Sequence, residues 1–326
     1  METHKLDLPI KKPVKHFPTS APEKPVVSVC VQTYQHAKYI EQCLDGILMQ
    51  KTSFPFEVLL GEDESTDGTR EICIEYAKKH PDKIRLFLHR RENVIIIGGQ
   101  PTGRFNFLYN LKEARGKYIA LCEGDDYWTD PHKLQKQVDF LENHTEYSAC
   151  AHDVDVFFED EFKRKIYFYN KDMHYFNEAM HYFYPTCSVV FRANLINENN
   201  VKLLSNPKLR GGDKLLQMIF FKFGPIKYID QKMGVYRKHA SGVSFERKKK
   251  DYDSTKAFLN AVLTIYDKKH RKNIHKRIVV AYADKSRDLR LSKQWLDFLS
   301  SFMGAILHVK SFTSLKILLK DSFKSN

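Results

Sequence analysis

From Val26 to Leu121 short apolar runs alternate with stretches of helical periodicity, and that alternation most restricts the fold open to this chain. Val26-Val27-Ser28-Val29-Cys30-Val31 reads as a buried strand, and Ile40, Cys43, Leu44, Ile47 and Leu48 mark one face of the helix that follows. A second strand, Glu57-Val58-Leu59-Leu60, runs into the turn-rich Gly61-Glu62-Asp63-Glu64-Ser65-Thr66-Asp67-Gly68-Thr69. That segment opens a helix around Ile72 and Tyr76, stopped by His80-Pro81. Ile84 to Leu88 is a third strand. A loop with Gly98, Gly99 and Gly103 and a helix near 105 to 114 then precede a fourth, Tyr118-Ile119-Ala120-Leu121. Strands and helices at this spacing predict an α/β fold with a doubly wound, mostly parallel sheet. In such sheets ligands bind beyond the carboxyl ends of the strands.

The fourth strand runs straight into Cys122-Glu123-Gly124-Asp125-Asp126-Tyr127-Trp128. Three carboxylates in four positions cannot all stay charged away from water or a counter-ion. Oxygen ligands at a rigid strand end suit Mg²⁺ or Mn²⁺, with positions left open for phosphates. The plainer alternative is an acidic turn into a helix, with Asp130 as N-cap and Pro131 at the first helical position. Polar outliers follow three strands, at Thr33-Tyr34, Glu62-Asp63 and Glu123 to Asp126. Their common rim favours the metal-and-phosphate reading.

After a helix carrying Leu134, Val138 and Leu141 the pattern changes. Ser148 to Phe158 and Phe162 to Tyr169 read as strands of a small antiparallel addition, and Tyr184 to Phe191 as another strand. Gly211-Gly212-Asp213 puts a carboxylate at the start of an apolar helix containing Leu215, Leu216, Met218, Ile219 and Phe220. A last strand, Ile226 to Ile229, leads to Val235-Tyr236-Arg237-Lys238-His239-Ala240-Ser241-Gly242. Residues 1–25, with five prolines, form a leader strand or a disordered arm.

The net charge of +13 is unevenly placed. Residues 246–326 carry nineteen Lys and Arg against eight acids, and residues 26–245 are neutral. A neutral body with a basic C-terminal region implies one chemical task and one of attachment to something anionic. Apolar residues recur there at helical spacing, as in Phe258, Val262 and Ile265, and in Trp295, Phe298 and Leu299. Such helices either pack as core or lie in a membrane interface. The region lacks recognition-helix and base-stacking signatures, so no nucleic-acid partner is expected. The six cysteines contain no C-x-x-C pair, which points to free thiols in a reducing compartment. With neither a signal-peptide core nor a spanning run of apolar residues, the expected location is cytoplasmic, peripheral on the inner face of the cell membrane.

Residues 26–245 resemble the family 2 glycosyltransferases of the GT-A fold. The resemblance rests on Val29-Cys30-Val31-Gln32-Thr33-Tyr34, on Glu62 to Thr69, on Ala114-Arg115-Gly116-Lys117-Tyr118, and on Tyr236-Arg237-x-His239. It implies a nucleotide-sugar donor, UDP-linked, and a glycan or lipid-linked acceptor. Asp63 would bond the base, and Thr33 and Tyr34 would line the nucleoside pocket. Glu123-Gly124-Asp125 stands where the family has D-x-D, so Asp125 would hold the metal, while Glu123 departs from the usual first Asp. Asp213 falls where such enzymes place the catalytic base, preceded by Gly212 instead of the acid often seen there. Arg237 would meet the leaving diphosphate, and His239 would be a pyrophosphate contact or a further metal ligand. Tyr127 and Trp128 would wall the acceptor site or anchor the strand end. Asp213 read without the family is a helix N-cap. A sugar-phosphate nucleotidylyltransferase would share the fold class, but it should carry a glycine-rich phosphate loop where this chain has Gln32-Thr33-Tyr34-Gln35-His36. A non-catalytic transferase remains the other alternative.

Overall fold

The computed structural model describes residues 8–158, 161–162, 170–239 and 252–324. They form two compact units, Met1–Pro207 with Gly212–Glu246, and Lys208–Gly211 with Arg247–Asn326.

The first unit opens with a short strand β1 (Lys15–His16), then β2 (Val27–Thr33), α1 (Ile40–Leu48), β3 (Phe56–Glu62), α2 (Thr69–Lys79) and β4 (Ile84–Leu88). A hairpin of β5 (Ile95–Ile97) and β6 (Gln100–Thr102) leads to α3 (Arg104–Glu113), β7 (Tyr118–Leu121), β8 (Tyr127–Trp128) and α4 (Lys133–Asn143). Next come β9 (Ala149–Phe158), β10 (Glu161–Phe162), α5 (Phe176–His181), β11 (Val190–Arg192), α6 (Glu198–Leu204), α7 (Gly212–Phe223) and β12 (Ile226–Lys238). One sheet runs in the order β1-β4-β3-β2-β7-β11-β9-β12-β8. Strands β4, β3, β2 and β7 are mutually parallel, and β11 sits antiparallel between β7 and β9.

Every residue of β3, and all but Gln32 of β2, is buried, as a parallel sheet covered on both faces requires. The stripe expected on α1 is the buried one: Ile40, Cys43, Leu44 and Ile47. All six cysteines are free and buried. The Ala114 to Tyr118 motif lies at the amino ends of the strands. There Glu57, wholly buried, takes hydrogen bonds from Ser28 and pairs with Arg85 and Arg115. Gly116 is required, because a Cβ would come 2.5 Å from the Ser28 nitrogen. This part of the motif holds the sheet together at the end away from the candidate site.

Three expectations change. Tyr184 to Phe191 is mostly a 3-10 turn, Thr186–Ser188, with the strand confined to Val190–Arg192. The last strand is continuous from Ile226 to Lys238 and pairs in parallel with β9 through two register shifts. Lys15–His16 pair with Leu88 and Phe87, so this part of the N-terminal segment is a leader strand at the sheet edge. Of the strand expected over 162–169, only Glu161–Phe162 pair with β9, and 163–169 lie outside the described residues, as do 240–251.

The second unit contains α8 (Tyr252–Ile265), α9 (Lys268–Leu291), α10 (Trp295–Ile306) and α11 (Phe312–Ser322). Val279 and Ala283 of α9 form a small core with Ala305 and Leu318. Gly304 lets α10 approach α9, since a Cβ there would come 2.8 Å from the Tyr282 ring. Among the described residues no helix is long and apolar enough to cross a membrane.

Candidate active site

The chain leaves β2 towards β3 and β4 on one side and returns as β7 on the other. Loops after β2 and β7 therefore diverge, and that crevice is where open α/β sheets take ligands. The acidic loop stays close to β2: the Cys122 and Gly124 amides donate to the carbonyls of Cys30 (3.1 Å) and Gln32 (2.9 Å). A Cβ on Gly124 would lie 2.7 Å from Thr33 Oγ1 and 2.9 Å from His36 Nδ1, so glycine makes the approach possible. The loop after β3 is laced to the loop after β2. Gln35, His36 and Ala37 donate their amides to Ser65 Oγ (2.9 Å), Thr69 Oγ1 (2.8 Å) and Asp67 Oδ2 (3.0 Å). Glu62 is buried, accepts the Ser65 amide at 2.7 Å and pairs with Arg70. Most of the Glu62 to Thr69 motif thus holds one loop against the other, leaving Asp63 at the crevice.

Asp125 Oδ2 lies 3.1 Å from His239 Nε2. With His36 these residues offer three ligand atoms within 4.8 Å of one another, and two imidazoles plus a carboxylate fit Mn²⁺ better than Mg²⁺. Burial pushes the Asp125 carboxyl up, but the His239 hydrogen bond and the nearby imidazoles outweigh it and hold the group below its usual range. His36 is lowered, chiefly by burial and against the pull of Asp125, which favours the neutral, ligating imidazole. The other two carboxyls go the opposite way. Burial lifts Glu123 to about 7, against a 2.7 Å hydrogen bond donated by Thr186 Oγ1 and with the charge of Asp125 adding to it. Burial, then Asp125 and Glu123, lifts Asp126 well above its usual range while it accepts the Arg237 amide at 2.8 Å. Three acids share this loop because only one of them is driven towards the charged form.

Arg237 reaches the site as a brace. Its Nη1 donates to the Asp125 carbonyl at 2.8 Å, its Nη2 bonds Gln42, and its plane lies over Tyr127 at 4.3 Å. Tyr127 therefore supports the loop from below. Trp128 is no wall of an acceptor site: it is 1% exposed, its Nε1 donates to the Cys187 carbonyl, and the Lys133 ammonium lies 4.0 Å from its ring. The pleat of β8 turns Trp128 inward and Tyr127 towards Arg237.

On the β3 side, Asp63 is buried and its amide donates to the Thr33 carbonyl at 3.1 Å. Burial raises its pKa to about 7 against the pull of Arg91, with Glu62 adding to the rise. Arg91 Nη1 lies 4.0 Å from Asp63 Oδ2, and its guanidinium sits 4.0 Å over the exposed ring of Tyr34. Asp63 Oδ1 and Thr33 Oγ1 are buried without a hydrogen-bond partner among the described residues. Groups in that condition suit a polar ligand.

Asp213 is exposed in the first turn of α7, where its Oδ1 accepts the Lys214 amide at 2.8 Å. It shares a pocket with Leu121 and Thr186, the residue that binds Glu123, and its charge adds to the rise at Glu123. The glycine before it is explained by Arg104, whose guanidinium would meet a Gly212 Cβ at 2.5 Å. The buried Arg104 feels the charge of Asp213 and bonds the Leu204 carbonyl.

His36, Gln42, Arg91, Arg104 and Thr186 were not singled out for the site in the sequence. His36 was findable, as a histidine three residues beyond the end of the first strand. The others arrive from elements that only the fold brings near.

Residues 28–197, just over half the chain, match the model for glycosyl transferase family 2. The uncharacterised protein Rv1520 of Mycobacterium tuberculosis is 36% identical over 223 residues, covering 67% of this chain and 60% of that protein. The putative teichuronic acid biosynthesis glycosyltransferase TuaG of Bacillus subtilis is 33% identical over 119 residues, 36% of this chain and 42% of its own. A crystal structure of S. aureus TarS 1-349 in complex with UDP-GlcNAc superposes with a TM-score of 0.60 at 17% identity, covering 87% of this chain and 81% of that one. This likeness supports the GT-A fold expected from the sequence. The chain spans about 60% of the length of its first relatives. By the family match, with the fold agreeing, this chain belongs to glycosyl transferase family 2.

Proposed function

We propose that the protein moves a sugar from a UDP-linked donor to a hydroxyl of a glycan or lipid-linked acceptor in cell-surface polysaccharide synthesis, inverting the anomeric centre. The observation that carries this reading is the gathering of Asp125, His239 and His36 where β2 and β7 part, with Asp213 facing the same loop through Thr186. TuaG, named for teichuronic acid biosynthesis, and the UDP-GlcNAc bound to TarS agree with the acceptor and donor classes.

Tyr34, with Arg91 over its ring, and Asp63 with its open oxygen would receive the base, and Thr33 the nucleoside. Asp125, His239 and His36 would hold a divalent ion, which when bound neutralises charge on the departing diphosphate. Arg237 keeps the Asp125 loop in place, and Glu123 awaits the ribose with Thr186 fixing its rotamer. Asp213 takes the proton of the acceptor hydroxyl during a single displacement, and its exposure leaves it accessible to an incoming sugar. A lipid-linked acceptor brings the enzyme to the anionic inner face of the membrane, and the basic C-terminal region attaches it there.

Thermal shift with UDP, GDP and CDP, each with and without Mn²⁺, tests the donor site. UDP with Mn²⁺ at about a hundred times its Kd should add roughly 2.7 kcal/mol of stability. A larger shift with another base, or one indifferent to metal, would overturn the donor assignment.

A further inference from the structure

The second unit leaves its largest apolar side chains outside. On α10, Trp295, Leu296, Leu299, Met303 and Ile306, with Leu307 just beyond, are all exposed, Leu296 by 85% and Leu307 by 75%. At 100° per residue these six fall within about 120° of the helix circumference. Phe298, Ser301 and Ala305 occupy the other side and are buried. Thus α10 is apolar on two faces and only one is covered. On α11, Leu315, Leu319 and Phe323 are exposed at i, i+4 and i+8, beside Lys316 and Lys320. The Phe323 ring lies 5.7 Å from both Phe298 and Phe302, which joins the two helices at one end.

The charge around this surface identifies its occupant. Between Arg290 and Lys324 there are six Lys and Arg against two acids, Asp297 and Asp321, and by helical position neither acid falls on the exposed apolar faces. A protein partner of ordinary composition needs no such exclusion of carboxylates, whereas an anionic lipid surface does. An apolar face with lysines at its margin and an aromatic residue at its end is the pattern of a helix lying in the bilayer interface. Twelve and eleven residues give helices of about 18 and 17 Å, against a hydrocarbon core of about 30 Å, so both lie in the plane.

We infer that α10 and α11 form an in-plane membrane anchor, inserting Trp295, Leu296, Leu299, Met303 and Leu319 among acyl chains while Lys310, Lys316, Lys320 and Lys324 contact anionic headgroups. This deepens, and rests on, the proposal that the enzyme works at a membrane surface.

The test uses the full chain and vesicles of phosphatidylcholine with or without phosphatidylglycerol. The protein has two tryptophans, and Trp128 is already buried, so a blue shift of emission on adding vesicles reports Trp295. Anionic vesicles should sediment the protein and shift its emission, and neutral vesicles should do neither. Trp295→Phe should lose the shift and still sediment. Leu299→Glu with Met303→Glu should weaken sedimentation at least tenfold, and Lys316→Gln and Lys320→Gln about fivefold each at low salt. UDP affinity should be unchanged in every variant, which separates this inference from the donor-site reading: vesicle binding can fail while UDP binding stands, and the reverse. Equal partition to both vesicle types, no partition to either, or a dimer in solution that Leu299→Glu dissolves would each overturn the anchor.

Discussion

The two tryptophans describe the two units of this protein better than their net charges do. Trp128 ends the short strand β8 with its ring enclosed, its indole nitrogen bonded to Cys187 and a lysine over its face. Trp295 begins α10 with 56% of its surface exposed. In the catalytic unit even charged groups are drawn inside and partnered, as with Glu57 and Glu62, because the crevice needs loops held to fractions of an ångström. In the helical unit a core of small and medium side chains suffices for packing, and the bulky apolar residues are left over for a surface. One sequence feature, a large apolar residue at helical or strand spacing, thus has opposite uses in the two units.

The largest effect that would sharpen this contrast is at Asp125. Asp125→Asn should lower transfer by roughly three orders of magnitude or more, since stabilisation of the leaving group is worth several kcal/mol. The far-UV spectrum should be unchanged and vesicle binding retained. Full turnover by the variant in chelator would remove the metal role.

Asp213→Asn comes next. A general base contributes about two to four orders of magnitude in rate, and UDP affinity should stay near that of the wild type. Asparagine caps a helix as well as aspartate, so a purely structural Asp213 would leave activity nearly intact. Normal turnover would move the base elsewhere.

The tryptophans themselves can then be truncated. Trp128→Ala should cost about 3–5 kcal/mol in denaturant unfolding, and Trp295→Ala no more than about 0.5 kcal/mol. Comparable losses at the two sites would show that α10 is covered, and would dissolve the comparison.

The smallest effect concerns Asp63. Its folded pKa is raised to about 7, while the unfolded chain releases the proton in the ordinary carboxyl range. Between those values the folded state holds more proton, so this group's contribution to stability falls as pH rises from about 4 to 7. Asp63→Asn cannot lose a proton, and its Tm advantage over the wild type should widen between pH 5 and 7.5. A constant gap would mean that the carboxyl is already charged at pH 5.

Much of the catalytic unit was legible in the sequence because local periodicity and burial coincide there. Buried parallel strands read as unbroken apolar runs, and the residues following them fall at one rim by topology alone, which is how Thr33, Asp63 and Asp125 were found together. Trp128 was left open between wall and core because a two-residue strand has no periodicity to show which way a side chain points. Tyr184 to Phe191 looked like one strand because apolar runs do not distinguish an extended segment from a 3-10 turn.

The sequence by itself determined the alternation that makes a doubly wound sheet, the acid at the end of its fourth strand, and the division into neutral and basic parts. These are properties of neighbouring residues, and short-range sterics and solvation act on neighbours. Tertiary structure alone decided that His36 joins Asp125 and His239, that Arg237 braces the loop it was expected to serve, and that Arg104 lies beneath Gly212. Those contacts join positions tens to hundreds of residues apart. Their geometry, and the opposed protonation of Asp125 and Asp126, exist only once packing has removed water from between them.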